Sequence, residues 1–147
     1  MSEKYWESFS EEETEALGER LGREARAGQV YGLDGDLGAG KTVLARGFAK
    51  GLGVSERITS PTFTIVHEYR EGRLPFFHFD VYRLTQEDAL WDIGWEEYLE
   101  AGGVCLVEWA AQRRESMPED TVWLRIRKDP ERGEDYRRIE WGGEEAL

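Results

Sequence analysis

Residues 35–42 read Gly-Asp-Leu-Gly-Ala-Gly-Lys-Thr, the Gly-x-x-x-x-Gly-Lys-Thr pattern of a phosphate-binding loop. In such a loop, backbone N–H groups surround the phosphates of a nucleotide, the lysine ammonium reaches their far end, and the threonine hydroxyl binds Mg²⁺. The stretch therefore predicts a binding site for a nucleoside triphosphate. In this site Lys41 is also a catalytic residue, and Thr42 is a ligand of the metal. Its members are Asp36, Leu37, Gly38, Ala39, Gly40, Lys41 and Thr42.

The sequence on either side of this loop predicts a strand–loop–helix unit. Residues 29–33 form a short β-favouring run, and residues 43–52 carry apolar side chains at helical spacing, followed by Gly53. The loop then lies before the N-terminus of a helix, where the helix dipole adds its own attraction for anions.

The remaining elements follow from hydrophobic periodicity and capping signals. Ser10 and Glu13 form a capping box at the start of a first helix. Strands are predicted over 62–69, 74–81, 104–107, 122–126 and 137–141, the first two as a hairpin, with a helix over 86–99 that breaks at Gly94. We predict one domain over residues 1–147: an α/β, three-layer P-loop NTPase fold with a mixed parallel and antiparallel sheet.

Composition restricts the possible roles of the chain. Among 147 residues, 31 acids against 19 Lys and Arg give a formal net charge of −12, which argues against unaided binding to nucleic acid. Any role in RNA metabolism is therefore expected to run through protein partners. Cys105, the single cysteine, is expected to be a buried reduced thiol. The sequence contains no signal peptide and no apolar run of membrane-spanning length, so we expect a cytoplasmic protein without membrane contact.

Two carboxylates are candidates to complete a catalytic site. Asp80 and Glu108 each follow an apolar run that ends at the sheet edge where α/β proteins bind ligands. Either could bind Mg²⁺ beside Thr42 or position the attacking water, and the sequence does not choose between them. Ser60 and Thr62, which follow the loop helix, are candidate hydroxyl donors to phosphate, metal or water.

Four other side chains have weaker signals. Trp109 either packs in the core, the default for a Trp beside a strand, or stacks near the nucleotide. His67 and His78 lack metal-ligand spacing, so core or surface roles are favoured. Arg83 is the arginine best placed to neutralise phosphate charge.

Four segments together resemble the bacterial TsaE (YjeE) family, the ATPase partner in tRNA threonylcarbamoyladenosine synthesis. They are residues 35–42, Ser-Pro-Thr-Phe-Thr at 60–64, His-Phe-Asp-Val-Tyr-Arg-Leu at 78–84 and Cys-Leu-Val-Glu-Trp at 105–109. Their order and spacing match the family as well. The resemblance is strong over about residues 30–110 and weak in both flanks.

The resemblance implies a slow, Mg²⁺-dependent ATPase that acts on a TsaB–TsaD heterodimer. TsaD carries out the carbamoyl transfer onto adenosine 37 of tRNA, so this chain would meet tRNA only indirectly. By similarity, Thr42 and Glu108 are Mg²⁺ ligands, Asp80 lies close by, and residues 60–64 form a switch. Ser10 and Arg132 are implied to border the adenine.

Two other functions use the same loop. A small-molecule kinase needs a lid that keeps water from the transferred phosphoryl group, and little chain remains for one after residue 110. A nucleotide sensor without turnover is the second alternative, and it differs from an ATPase only in whether ATP is hydrolysed when partners are present.

Overall fold

The structure, a computed structural model, describes residues 4–35, 38–58, 65–82 and 89–142. Its strands are β1 Lys4–Ser8, β2 Val30–Gly35, β3 Val66–Tyr69, β4 Phe76–Asp80, β5 Val104–Glu108, β6 Val122–Lys128 and β7 Arg137–Gly142. Its α-helices are α1 Glu11–Glu24, α2 Lys41–Gly51, α3 Ala89–Asp92 and α4 Trp95–Leu99. Two 3₁₀ segments, Ala110–Ser116 and Pro130–Arg132, follow β5 and β6.

The strands form one mixed sheet in the order β1-β7-β6-β2-β5-β4-β3. The inner strands β6, β2, β5 and β4 are parallel, while β1–β7, β6–β7 and β3–β4 pair antiparallel. The predicted hairpin and the mixed sheet are therefore confirmed. Since β2 lies between β5 and β6, the chain leaves the middle of the sheet as it enters the phosphate loop.

Alternate residues of the inner strands pack into two apolar clusters, one on each face of the sheet. One cluster joins Tyr31 and Leu33 to Leu44 and Phe48 of α2, and it also contains Leu21 of α1. The other cluster contains these residues of the strands, α4 and the first 3₁₀ segment: Val30, Phe77, Phe79, Cys105, Val107, Trp95 and Ala110. Helical layers thus cover both faces, which confirms the three-layer α/β fold.

Several element boundaries differ from the prediction. Strand β1, which the sequence analysis did not predict, pairs with β7 from Lys4↔Trp141 to Ser8↔Arg137. Its sequence, Lys-Tyr-Trp-Glu-Ser, lacks the apolar–polar alternation of a half-buried strand, so only the distant partner reveals it. The helix predicted over 86–99 is two short helices separated at Gly94, whose φ of 88° interrupts the helix as predicted. Residues 62–64 and 86–88 of the predicted elements lie outside the described residues.

The start of α1 and the state of the cysteine agree with prediction. The Ser10 hydroxyl accepts from the Glu13 N–H at 3.1 Å, and the Glu13 carboxylate accepts from the Phe9 N–H at 2.8 Å. Cys105 is buried and free, and burial raises the pKa of its thiol to about 12. In the described part of the chain, no helix is both long and apolar enough to cross a bilayer.

Helices α1 and α2 lie against each other at glycines. A Cβ at Gly18 would overlap the Leu44 carbonyl oxygen, and a Cβ at Gly47 would overlap that of Glu15. Gly22 and Gly51 make the same kind of contact with the opposite helix. The backbones therefore approach more closely than any side chain allows, and this contact fixes α2 relative to α1.

We expect Gly47→Ala to lower the free energy of unfolding. Alanine favours an isolated helix by about 1 kcal/mol, but the added methyl must push the two backbones apart, a net loss of roughly 2 kcal/mol. Urea unfolding followed by circular dichroism measures the change, with Glu12→Ala on the exposed face of α1 as control. A urea midpoint equal to or above that of the unmodified protein would show that the close approach of the two helices is not needed for full stability.

Candidate functional site

The phosphate loop is shaped by two glycines in a conformation that other residues avoid. Gly38 has φ of 78°, and Gly40, the residue before α2, has φ of 105°. Between them, Ala39 is buried. The predicted contacts Asp36 and Leu37 lie outside the described residues. The part that is described brings the loop onto the N-terminus of α2, where backbone N–H groups are available to an anion.

Lys41 is the first residue of α2, and its side chain is held in the loop. Its ammonium donates to the Gly35 carbonyl at 2.8 Å and lies 3.4 Å from the centre of the Trp109 ring. Only 7% of the residue is exposed. A cation over an indole face is stabilised most where water is excluded, so Trp109 holds the lysine charge at the mouth of the loop.

Trp109 occupies a strained turn directly after β5. Its φ of 64° is the only positive value among the described non-glycine residues. The turn is tied to β2 because the Trp109 N–H donates to the Leu33 carbonyl at 3.0 Å, and the Ala111 N–H donates to the Asp34 carboxylate at 3.2 Å. The ring lies partly buried between Lys41 and Tyr82, whose ring centre is 4.8 Å away. Its predicted contact with a nucleotide stays a prediction.

Asp80 and Glu108 are neighbours at the carboxyl edge of the sheet. They are register partners in the parallel pair β4–β5, and Glu108 is also the partner of Leu33 in β2. Side chains alternate along a strand, so Glu108 shares the face of Leu106, which packs in the same cluster as α2. The structure therefore brings both predicted carboxylates together, on the face of the sheet that carries the phosphate-loop helix.

The two carboxylates have different surroundings. Glu108 is 4% exposed, and its Oε2 lies 2.6 Å from Nε2 of His78. Asp80 is only partly buried and accepts from the Tyr82 N–H at 3.0 Å. Loss of hydration raises the pKa of Asp80, the Tyr82 N–H opposes that shift, and the Glu108 charge adds to it. Asp80 thus holds a proton more readily than an ordinary aspartate.

His78 was expected in a core or surface role, and its contact with Glu108 was missed. The histidine lies two residues before Asp80 in β4, so both side chains point to the same face of the sheet. That spacing was the available signal. The spacing alone does not identify the contact with Glu108. The contact also requires that β5 pairs with β4 in the register that sets Glu108 beside Asp80.

A metal at this site would have few protein ligands. Thr42, the second residue of α2, is exposed, next to the buried Lys41. Over the described ranges, no group of three or more His, Cys, Asp or Glu side chains could hold a metal ion. This composition fits Mg²⁺, which is commonly held by one or two protein oxygens together with substrate phosphates and water, and it does not fit a structural metal cage.

An open cleft of about 200 Å³ adjoins the phosphate loop. The residues that line it come from the start of α1, the loop and the turn before β7: Glu11, Thr14, Gly38, Gly40, Val43, Asp135 and Arg137. The predicted contacts Ser10 and Arg132 are next to these segments. Ser10 caps α1, and Arg132 pairs with Glu7 at 2.8 Å. Their role toward a nucleotide stays a prediction.

Arg137 is a loop-supporting residue that sequence reasoning missed. Its Nε donates to the Ala39 carbonyl at 2.6 Å, and its Nη1 donates to the Glu134 and Tyr136 carbonyls at 2.9 and 2.7 Å. The guanidinium therefore ties the phosphate loop to the turn before β7. No local pattern marks this arginine, because the loop is 98 residues away along the chain.

The other predicted site residues cannot be placed. Ser60 and Thr62, with the segment 60–64, lie outside the described residues, as does Arg83. His67, by contrast, is described: it is the register partner of His78 in β3, and its Nδ1 lies 3.4 Å from the Tyr69 hydroxyl.

Comparison with known proteins places the chain among related sequences and structures. The family model "Threonylcarbamoyl adenosine biosynthesis protein TsaE" matches residues 8–139. A protein of Bacillus subtilis named "tRNA threonylcarbamoyladenosine biosynthesis protein TsaE" is 44% identical over 95% of this chain and 85% of its own. The Treponema pallidum protein of the same name is 43% identical over 82% of this chain and 88% of its own. The crystal structure of Bacillus subtilis YdiB superposes with a TM-score of 0.80 at 39% identity, over 97% of this chain and 86% of that one.

We expect Asp80→Asn to raise the free energy of unfolding at neutral pH by roughly several tenths of a kcal/mol. Because the folded-state pKa of Asp80 is raised, its charged form opposes folding, and the neutral amide removes that penalty while it still accepts from the Tyr82 N–H. This gain in unfolding free energy is complete when the pH lies above the folded-state pKa of Asp80. It disappears as the pH falls below the ordinary pKa of an aspartate. Urea unfolding at neutral and acidic pH measures it.

Asp120→Asn, on an exposed turn, is the matched control and should show no such gain. Destabilisation of Asp80→Asn at neutral pH would mean that the carboxylate makes a stabilising interaction stronger than its loss of hydration.

Proposed function

The chain belongs to the TsaE family of threonylcarbamoyl adenosine biosynthesis proteins, and we propose that in this tRNA modification it acts as a Mg²⁺-dependent ATPase. The observation that carries the proposal is the pairing of Asp80 with Glu108 at the sheet edge, on the face that carries the Lys41 helix. A phosphate loop alone binds a nucleotide, whereas hydrolysis also requires groups that hold metal and water.

ATP binding is supported by the loop and by the cleft beside it. The loop offers backbone N–H groups at the N-terminus of α2 and the charge of Lys41, which together suit a triphosphate. The adjoining open cleft of about 200 Å³ would receive part of the nucleoside, with the rest facing solvent. Its lining by Glu11 and Asp135 supplies hydrogen-bond acceptors for a base or a ribose.

We assign Thr42 and Glu108 to the metal and Asp80 to the attacking water. A bound Mg²⁺ would neutralise phosphate charge as the γ-phosphoryl group departs. Glu108 has one oxygen on His78, which leaves Oε1 for a metal or its water. Asp80 is more exposed than Glu108, and a raised pKa suits a group that accepts a proton from water.

Turnover is proposed to depend on protein partners, the TsaB–TsaD pair of the same host. The formal net charge of −12 repels the phosphate backbone of tRNA, so a role in tRNA modification fits a chain that acts through proteins that hold the nucleic acid. In this arrangement the chain does not transfer the threonylcarbamoyl group. Its ATP cycle acts on the proteins that do.

The test is ATP hydrolysis by this protein alone and with the TsaB–TsaD pair. We expect slow turnover alone and stimulation of several-fold or more by the pair. In Glu108→Gln, whose amide retains the shape of the carboxylate, turnover should fall by about 100-fold or more while the fold is kept. Tight ATP binding without hydrolysis in the presence of the pair would identify a nucleotide sensor. ADP release that requires a small-molecule acceptor would identify a kinase.

We expect Lys41→Ala to weaken ATP affinity by about 100-fold or more, because the loop would then surround several negative charges without its cation. Isothermal titration calorimetry measures the change. Lys50→Ala removes the same charge from an exposed position on the same helix and should leave the affinity within about twofold. Equal affinities of Lys41→Ala and the unmodified protein would place the nucleotide elsewhere.

A further inference from the structure

His78 lies at the base of the proposed metal site, fully enclosed by protein. Its exposed fraction is 0%, and its ring stacks on Phe76 at 5.8 Å between ring centres and 14° between planes. Nε2 lies 2.6 Å from Oε2 of Glu108. Within the described part of the chain, the other ring nitrogen, Nδ1, has no hydrogen-bond partner.

The unpartnered Nδ1 indicates which tautomer the ring adopts. If Nδ1 carried a hydrogen, a buried N–H would have no acceptor, and native structures tolerate such a donor less readily than a bare lone pair. The hydrogen therefore belongs on Nε2, which donates to Glu108. Oε2 of Glu108 is then the acceptor of this hydrogen bond.

Packing alone does not account for a histidine at this position. A phenylalanine would continue the stack on Phe76 with a somewhat larger ring and leave no ring nitrogen unpaired. What the imidazole supplies is a donor aimed at one oxygen of Glu108. Without that donor, the buried carboxylate would lose this hydrogen bond and the orientation that the bond fixes.

We propose that His78 is a positioning residue that fixes the orientation of Glu108, so that Oε2 is held by the protein and Oε1 faces the metal site. The inference rests on the proposed function, since it assigns Oε1 to Mg²⁺ or its water. Partners of this kind around a ligand carboxylate set its orientation, and their loss reduces metal affinity or activity by roughly 10- to 100-fold. His78 does not itself contact the nucleotide in this assignment.

Three variants separate positioning from packing. His78→Gln can present its amide N–H near the location of Nε2, so it retains the donor to Glu108. His78→Asn has the same chemistry but is one methylene shorter, so its amide falls at the place of Nδ1. His78→Phe retains an aromatic ring, a somewhat larger one, and has no donor.

We expect His78→Gln to keep ATP turnover within about fivefold of the unmodified protein, and His78→Phe and His78→Asn to lose 10-fold or more. A second readout does not require turnover: the Mg²⁺ concentration for half-maximal nucleotide binding by calorimetry. It should rise about tenfold in the Phe and Asn variants and not in the Gln variant. Nucleotide binding without Mg²⁺ should be the same in all four proteins.

Thermal unfolding of each variant provides the control for structure. If His78 served packing alone, loss of function would follow loss of stability across the three variants. Equal Mg²⁺ requirements in the Gln and Asn variants overturn the inference. If His78→Phe does not fold, the Gln–Asn comparison still decides.

The failure of the proposed function has a different signature. If the unmodified protein binds Mg²⁺–ATP but does not hydrolyse it with TsaB–TsaD, the ATPase proposal fails, while the Mg²⁺ dependence of binding still tests His78. If Mg²⁺ has no effect on nucleotide binding by the unmodified protein, both the assignment of Glu108 to the metal and the positioning role of His78 are wrong.

Discussion

The parallel pairing of β2 with β5 is the constraint on which the site depends. Because Leu33 and Glu108 are register partners, the carboxylate lies beside the strand that leads into the phosphate loop. The next parallel pair, β5–β4, adds Asp80 at the same level. A shift of one residue in either pair would turn a carboxylate toward the opposite face, away from α2. The apolar runs of β4 and β5, buried on both faces of the sheet, fix this register.

The contact between α1 and α2 sets the other half of the geometry. The glycines at Gly18 and Gly47 allow the helix backbones to touch, so main-chain atoms set the position of α2 relative to α1. The N-terminus of α2 carries Lys41, and Arg137 holds the loop before it through the Ala39 carbonyl. The proposed phosphate site is therefore built largely from backbone, whereas the proposed catalytic site is built from side chains on two other strands.

Features that depend on a few adjacent residues were predicted correctly from the sequence. The phosphate loop, the capping box at Ser10 and the break at Gly94 each depend on a few adjacent residues, and the structure contains all three. The contacts of His78 and Arg137 connect positions 30 and 98 residues apart, so they depend on strand order and register. Strand β1 is a similar case, because its sequence does not alternate and only the pairing with β7 identifies it. The apolar runs before Asp80 and Glu108 predicted both carboxylates at one edge of the sheet, the family resemblance implied their roles, and the observed register supplies the physical basis of their proximity.

Binding and turnover place different demands on this scaffold. In the proposed function, phosphates are held by many backbone groups and one lysine, so small displacements change the affinity gradually. Hydrolysis would depend on the position of two carboxylates, where a displacement of about 1 Å changes the rate by orders of magnitude. Glu108 meets that demand through burial and the bond to His78, while Asp80 is more exposed and adjoins Tyr82, which is 54% exposed. The carboxylate assigned to water is thus the one that lies nearer the protein surface, and the Tyr82 ring beside it is joined through Trp109 to Lys41 of the phosphate loop.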